Sequence, residues 1–226
     1  MSALLPLLHL CDSLFPIGGF AYSDGLESAI STRLVNGADD LRRWLEVCLD
    51  EAIGRCEGPA VLIAWLAFRE ENWELLIALD EELTAMRPSS ATRIASRSMG
   101  LRLLRTWQSL HPDARLDHAL ALATARALGP TLPVAFAGAC AGTGVEQRDA
   151  VEGFAYTRLA ATISSAMRLM AIGQNEAHRL LSRALDRVPA CVDAMLVRRA
   201  QPESFMPVVD IAQMTHPYVH SRLFRS

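Results

Sequence analysis

A chain of 226 residues that is 51% hydrophobic and 21% charged carries enough apolar surface for a buried globular core. Its net charge of −3 and sequence pI near 6.1 lack the clustered positive charge that nucleic acid or an anionic membrane surface requires. All 22 basic residues are arginine, which excludes Schiff-base chemistry, a lysine general base and a G-x-x-x-x-G-K-[ST] phosphate loop.

At the N-terminus, MSALLPLLHLCD lacks the basic start of a secretory signal, and Pro6 and His9 break its apolar run. A first helix over 4–14 in a cytoplasmic protein is the expectation. The stretch DSLFPIGGFAYSDGLES follows, from Asp12 to Ser28. Pro16 is expected to end the first helix, Gly18 and Gly19 to reverse the backbone, and Ser23 or Asp24 to begin a helix over 23–33. Such a turn sets Phe20 and Tyr22 where a partner reads them. Asp24 and Glu27 lie three apart and would share a helix face. An acid–base pair needs burial to separate its pKa values, whereas an early helical turn suits two solvated carboxylates. An all-α hydrolase using Asp24, Glu27 and an arginine is therefore only an alternative reading.

Leu41, Trp44, Leu45, Cys48, Leu49, Ala52, Ile53 and Cys56 recur three and four apart, opposite Arg42, Arg43, Glu46, Asp50, Glu51 and Arg55. Asp39 and Asp40 suit the positive end of this helix, and Gly58 with Pro59 is expected to close it. The same reasoning places helices at 59–69, 71–87, 90–109, 117–128, 132–142, 146–171, 174–187, 191–200 and 206–214. No segment alternates with period two, and the joints are short and unlike interdomain linkers. The fold class is all-α: one compact, bundle-like domain of about ten helices over 1–215, followed by a tail over 216–226.

Three of these segments carry further information. In SATRIASRSMGLRLLRTW the arginines spread around the helix, so Ser96, Ser98 and Gly100 are the telling residues. Glycine inside a helix costs about 1 kcal/mol against alanine, which points to a tight helix crossing or, next, a partner surface. The 19 uncharged residues from Ala127 to Val145 include Gly129, Pro130 and Pro133, so they read as a buried core helix rather than a membrane span. Ala160, Ala161, Ser164, Ser165 and Ala166 give the 146–171 helix two thin sides, suited to a bundle centre or a two-fold interface.

The tail, THPYVHSRLFRS, sets Tyr218, Val219, Leu223 and Phe224 among His220, Arg222 and Arg225. It either folds back on its own domain or docks on another protein. Five scattered cysteines fit buried thiols in a reducing compartment. His216 and His220 are four apart but Pro217 intervenes, and His9 and Cys11 form only an H-x-C pair. There is no C-x-x-C, H-E-x-x-H or G-x-S-x-G, so neither a permanent metal site nor a hydrolase nucleophile is expected.

DSLFPIGGFAYSDGLES, SRSMGLRLL, AMRLMAIGQNEAHRLL and SRLFRS, in that order, resemble the UreF family of urease accessory proteins through nearly the whole chain. The resemblance implies an all-helical, usually homodimeric protein without catalytic activity or cofactor. It implies a complex with UreD (UreH in some bacteria) and the GTPase UreG that delivers nickel to apo-urease. Pro16, Gly18, Gly19, Phe20, Ser23, Gly25, Leu26 and Glu27 match the first motif; Ser98, Gly100 and Arg102 the second; Arg168, Gly173 and Gln174 the third. Arg222, Leu223, Phe224 and Ser226 match the tail, which in this family is associated with the UreD side. The partner-binding residues implied are Phe20, Tyr22, Ser23, Gly25, Glu27, Ser98, Gly100, Arg102, Arg222, Leu223 and Phe224. Tyr22 stands where histidine is common, leaving Glu27 as the best oxygen ligand for nickel in that motif. LGPTLPVAFAGACAG likewise lacks a histidine that many relatives carry. A generic helical adaptor unrelated to urease is the other alternative.

Overall fold

A computed structural model describes residues 3–225, and among them all regular structure is helical. Ser226, the last residue of the tail motif, lies outside the described residues, as do the first two. The α-helices are α1 (Leu4–Cys11), α2 (Leu26–Ser31), α3 (Ala38–Val47), α4 (Gly58–Glu70), α5 (Trp73–Ala85), α6 (Ser90–Leu110), α7 (Ala114–Thr124), α8 (Leu132–Gly142), α9 (Gln147–Leu169), α10 (Gln174–Leu185), α11 (Val188–Arg198) and α12 (Pro207–Thr215). Short 3₁₀ turns cover Gly19–Ala21 and His216–Tyr218, and a π-helical segment, Cys48–Glu57, joins α3 to α4.

The expected stop at Gly58 and Pro59 is not there: α3, the π segment and α4 form one unbroken rod. The Gly58 N–H reaches back five residues to the Ile53 carbonyl. Pro59 then falls in the first turn of α4, where the wider ladder tolerates its missing N–H. The two glycines serve packing instead. A Cβ at Gly58 would lie 2.7 Å from Met195 Sδ, and one at Gly54 3.0 Å from Cys191 Sγ, so both admit α11 against the rod. With the rod as one helix and the six-residue α2 set aside, ten helices remain among the described residues.

The core is organised around α8, whose residues from Leu132 to Ala141 are all buried. It packs against α4, α6 and α9. Gly138 lets α4 approach, since a Cβ there would lie 2.6 Å from Phe68 Cζ. Trp107 Nε1 of α6 donates to the Ala139 carbonyl at 3.1 Å, and Trp65 Nε1 of α4 to the Val145 carbonyl at 2.9 Å. The entry to α8 is capped from other helices. Asp80 of α5 accepts from the Gly129 and Thr131 N–H groups at 3.1 and 2.7 Å, and Ser96 Oγ of α6 accepts from Leu132 N at 3.1 Å.

Gly100 is explained by this same entry. A Cβ there would overlap the Pro130 carbonyl oxygen and touch Thr131, so the tight crossing is between α6 and the turn leading into α8. Its partner is a loop, not the helix expected. The 146–171 expectation corresponds to α9, where Gly153 meets Leu7 and Cys11 of α1. Ser165 and Ala166 are buried while Ala161 and Ser164 face outward.

Replacing Gly100 with alanine is expected to cost about 1–3 kcal/mol by overpacking, outweighing alanine's helix propensity. Thermal unfolding should register this as a fall in Tm of roughly 2–4 °C per kcal/mol. An unchanged Tm would mean that the 129–131 turn yields freely.

Candidate functional site

The N-terminal motif folds into a corner that meets both the middle motif and the tail. α1 stops at Cys11, earlier than the expected Pro16 boundary, because Asp12 Oδ1 accepts from Leu14 N at 2.8 Å and pulls the chain into a turn. Gly18 adopts φ 77° and passes beneath Arg102, whose Nη1 donates to the Ile17 carbonyl at 2.9 Å. Arg102 of α6 therefore braces the motif that precedes it in the chain. Gly25, at φ 89°, lies against the Gln213 backbone of α12.

α2 begins at Leu26, not at Ser23 or Asp24. Ser23 Oγ nonetheless accepts from the Glu27 N–H at 3.3 Å, a cap supplied from one turn upstream. Asp24 stands before the helix at φ 54°, so it shares no helix face with Glu27. Nor are the two carboxylates solvated, as the early-turn expectation has them. Glu27 is buried, and Asp24 is largely covered by α9 and α12.

Asp24 ends a ladder of alternating charge that runs inward. Its Oδ2 pairs with Arg158 Nη2, and Arg158 Nε donates to Glu57 Oε2 at 3.0 Å. Glu57 Oε1 pairs with Arg87, and Gln213 Nε2 donates to Asp24 Oδ1 at 2.9 Å. Burial pushes the Asp24 carboxyl up, but the Arg158 and Arg87 guanidinium groups outweigh it and hold the group below its ordinary value. Arg158 is held above its ordinary value, because Glu57 and Asp24 more than offset its desolvation. At 100° per residue Glu57 falls in line with Glu46 and Asp50 on the polar side, and it is buried only within the wider π segment, so α-helical periodicity gives no signal for it.

Glu27 holds the tail. Its Oε1 accepts from Leu223 N at 2.5 Å, and its Oε2 accepts from Phe224 N at 3.2 Å and from His216 Nε2 at 2.7 Å. Because the same carboxylate receives two backbone N–H groups, the His216 bond is carried by Nε2–H, consistent with an Nδ1 that has no hydrogen-bond partner. Arg225 N donates to the Ala21 carbonyl at 2.8 Å. Arg168 of α9 donates from Nη1 to the Phe20 carbonyl at 2.8 Å and lies 4.4 Å over the Phe224 ring. The tail is folded back on its own domain.

The corner thus gathers most of the expected partner-binding residues and divides them. Phe20 and Leu223 are 78% and 55% exposed, and Arg102 and Arg222 also face outward. Tyr22 and Ser98 are half-buried, while Ser23, Gly25, Glu27, Gly100 and Phe224 are interior. His216, Arg158 and Glu57 join this corner through contacts far apart in the chain, for which the local pattern carries no signal. Among the described residues no group of three or more His, Cys, Asp or Glu side chains is placed to hold a metal ion. Cys11, Cys48 and Cys56 are covered, and burial pushes their thiols up to about 12.

The UreF family model matches residues 35–185. The chain is 34% identical over its full length to the protein named urease accessory protein UreF of Methylibium petroleiphilum, covering 94% of it. It is 34% identical to the protein of that name from Azotobacter vinelandii and 33% to that from Nitrosococcus oceani, with full coverage of both chains in each case.

Two outcomes follow from the corner's hydrogen bonds. Glu27→Ala leaves the Leu223 and Phe224 N–H groups and His216 without their acceptor, at about 1–3 kcal/mol. Limited trypsin digestion should then cut at Arg222 far faster than in the parent protein, and an unchanged cleavage rate would contradict the latch. Asp24 has a lowered carboxyl, so the unfolded chain binds its proton more readily than the native one, and the stabilisation is present above its ordinary 3.8. The stability gap between the parent and Asp24→Asn, followed by chemical denaturation, should be widest near neutrality and shrink as pH falls below that value.

Proposed function

The chain belongs to the UreF family of urease accessory proteins, and we propose that it serves as a non-catalytic scaffold in urease maturation. In this reading it bridges UreD (UreH in some bacteria) and the GTPase UreG, and regulates GTP-dependent insertion of nickel into apo-urease. The observation that carries it is the corner: the tail is tied over the N-terminal turn, so that Phe20 and Leu223 stand exposed beside Arg222 and Arg102. A rigid surface with apolar anchors and a charged rim is what protein recognition uses.

The chemistry agrees with a supporting role. Without lysine the chain has no phosphate loop of the usual kind, so the nucleotide belongs to UreG. Asp24 and Glu27 already spend their oxygens on internal donors, which weighs against the hydrolase alternative. Nickel is cargo in this reading, not a resident cofactor, and Glu27 is assigned to the tail rather than to the metal. Homodimerisation, the docking role of residues 216–226 and a cytoplasmic location are parts of the same proposal and rest on the family. No helix among the described residues is long and apolar enough to cross a membrane.

The purified chain mixed with its UreD and UreG counterparts at micromolar concentration should elute as one complex from a sizing column. Separate elution of all three would count against the scaffold. Leu223→Ala, which trims an exposed side chain, should weaken the UreD contact on the order of tenfold, about 1.4 kcal/mol, with the fold intact.

A further inference from the structure

Arg168 is an exposed residue on the last turn of α9, yet its guanidinium is shared between two segments far from it in sequence. One nitrogen donates to the Phe20 carbonyl, and Cζ sits over the Phe224 ring at 4.4 Å from its centroid. Among the described residues it forms no ion pair, so its charge is not spent on a neighbouring carboxylate. A forked cation that donates to a carbonyl while its charge sits over an aromatic ring suits arginine better than lysine. The two segments it joins are the ones that carry the exposed side chains of the corner. Phe20 projects from the residue whose carbonyl is held, and Leu223 precedes the residue whose ring is covered.

We propose that Arg168 is the positioning residue of this corner, setting the register between Phe20 and Leu223 that a partner protein reads. The proposal rests on taking the corner as the partner surface of the scaffold. Arg168 acts through the Phe20 carbonyl and the Phe224 ring. Glu27 fixes the tail from beneath, whereas Arg168 ties the tail to the turn at the surface. Holding both anchors before binding lowers the ordering cost that the partner would otherwise meet.

A double-mutant cycle separates positioning from simple contact. The full-length protein, Arg168→Ala, Leu223→Ala and the double variant are titrated with the purified UreD counterpart by calorimetry. Arg168→Ala should weaken binding about tenfold, and Leu223→Ala about tenfold in the parent but less than about threefold once Arg168 is absent. The anchor loses value when nothing holds it in place. Hydrogen exchange on the same unbound proteins supplies a second measure. The Phe224 and Arg225 amides should exchange at least about tenfold faster in Arg168→Ala, with α4 and α8 unchanged. Arg168→Gln keeps a donor for the Phe20 carbonyl but places no charge over the ring, so it should free the tail and leave the 19–21 turn protected. That variant decides the matter if the alanine form folds poorly. Additive losses in the cycle, or tail exchange at the parent rate in both variants, would overturn the proposal. If the parent protein itself fails to bind the UreD counterpart, the scaffold reading fails, while the exchange measurements still decide whether Arg168 holds the tail.

Discussion

An uncharged helix has no polar side chains to offer water, so the chain must surround it, and α8 imposes that requirement on most of this structure. Leu132 to Ala141 are buried on every side, which brings α4, α6 and α9 to it at close range. Close range demands small residues and satisfied backbone. Gly138 and Gly100 provide the first, and Asp80 with Ser96 provides the second at the α8 entry. Burial pushes the Asp80 carboxyl up and its backbone donors pull it down, with burial winning. Capping α8 in the interior therefore carries an electrostatic cost that the bundle absorbs.

The charge ladder lies where α9 meets the π segment and the N-terminal turn. Buried ion pairs cost desolvation that their mutual attraction does not always repay, so their presence speaks more for specific geometry than for stability. Here the geometry is that of the turn. Arg158 reaches from α9 to Asp24 and Glu57 at once, and Gln213 binds Asp24 from α12. A widened helical segment supplies Glu57, in keeping with the way π segments mark places where a helix serves something besides its own ladder. The strained backbone at Asp24 is held on both sides by these partners.

Outside the ladder, the corner is assembled by groups that give up their own chemistry to hold the backbone. Arg102 supports Ile17, Arg168 supports Phe20, and Glu27 collects the tail. What this leaves exposed includes the side chains of Phe20 and Leu223 beside Arg102 and Arg222. The chain belongs to a family of urease accessory proteins, and in the role proposed above this surface recognises another protein.

Local pattern determined the elements. Three- and four-residue spacing located the α3 face, the uncharged run gave α8, and the absence of period-two alternation gave an all-α chain, because these follow from neighbours within a few turns. The motif residues of the corner were legible as well, but their roles were not. Nothing within the 23–33 window shows that Glu27 will face His216, Leu223 and Phe224 instead of solvent, since those donors lie nearly two hundred residues away. The Gly58–Pro59 pair has the signature of a helix stop, and only the approach of Met195 and the π ladder make it a passage. Glu57 shows the boundary between the two kinds of information: α-helical spacing puts it in line with Glu46 and Asp50, while the π segment buries it and the arginines that make a buried carboxylate tolerable come from α9 and from the loop before α6. Periodicity reports which side of a helix is covered. Which group covers it is decided by long-range packing, and in this protein that difference separates two solvated acids from the lock on the tail.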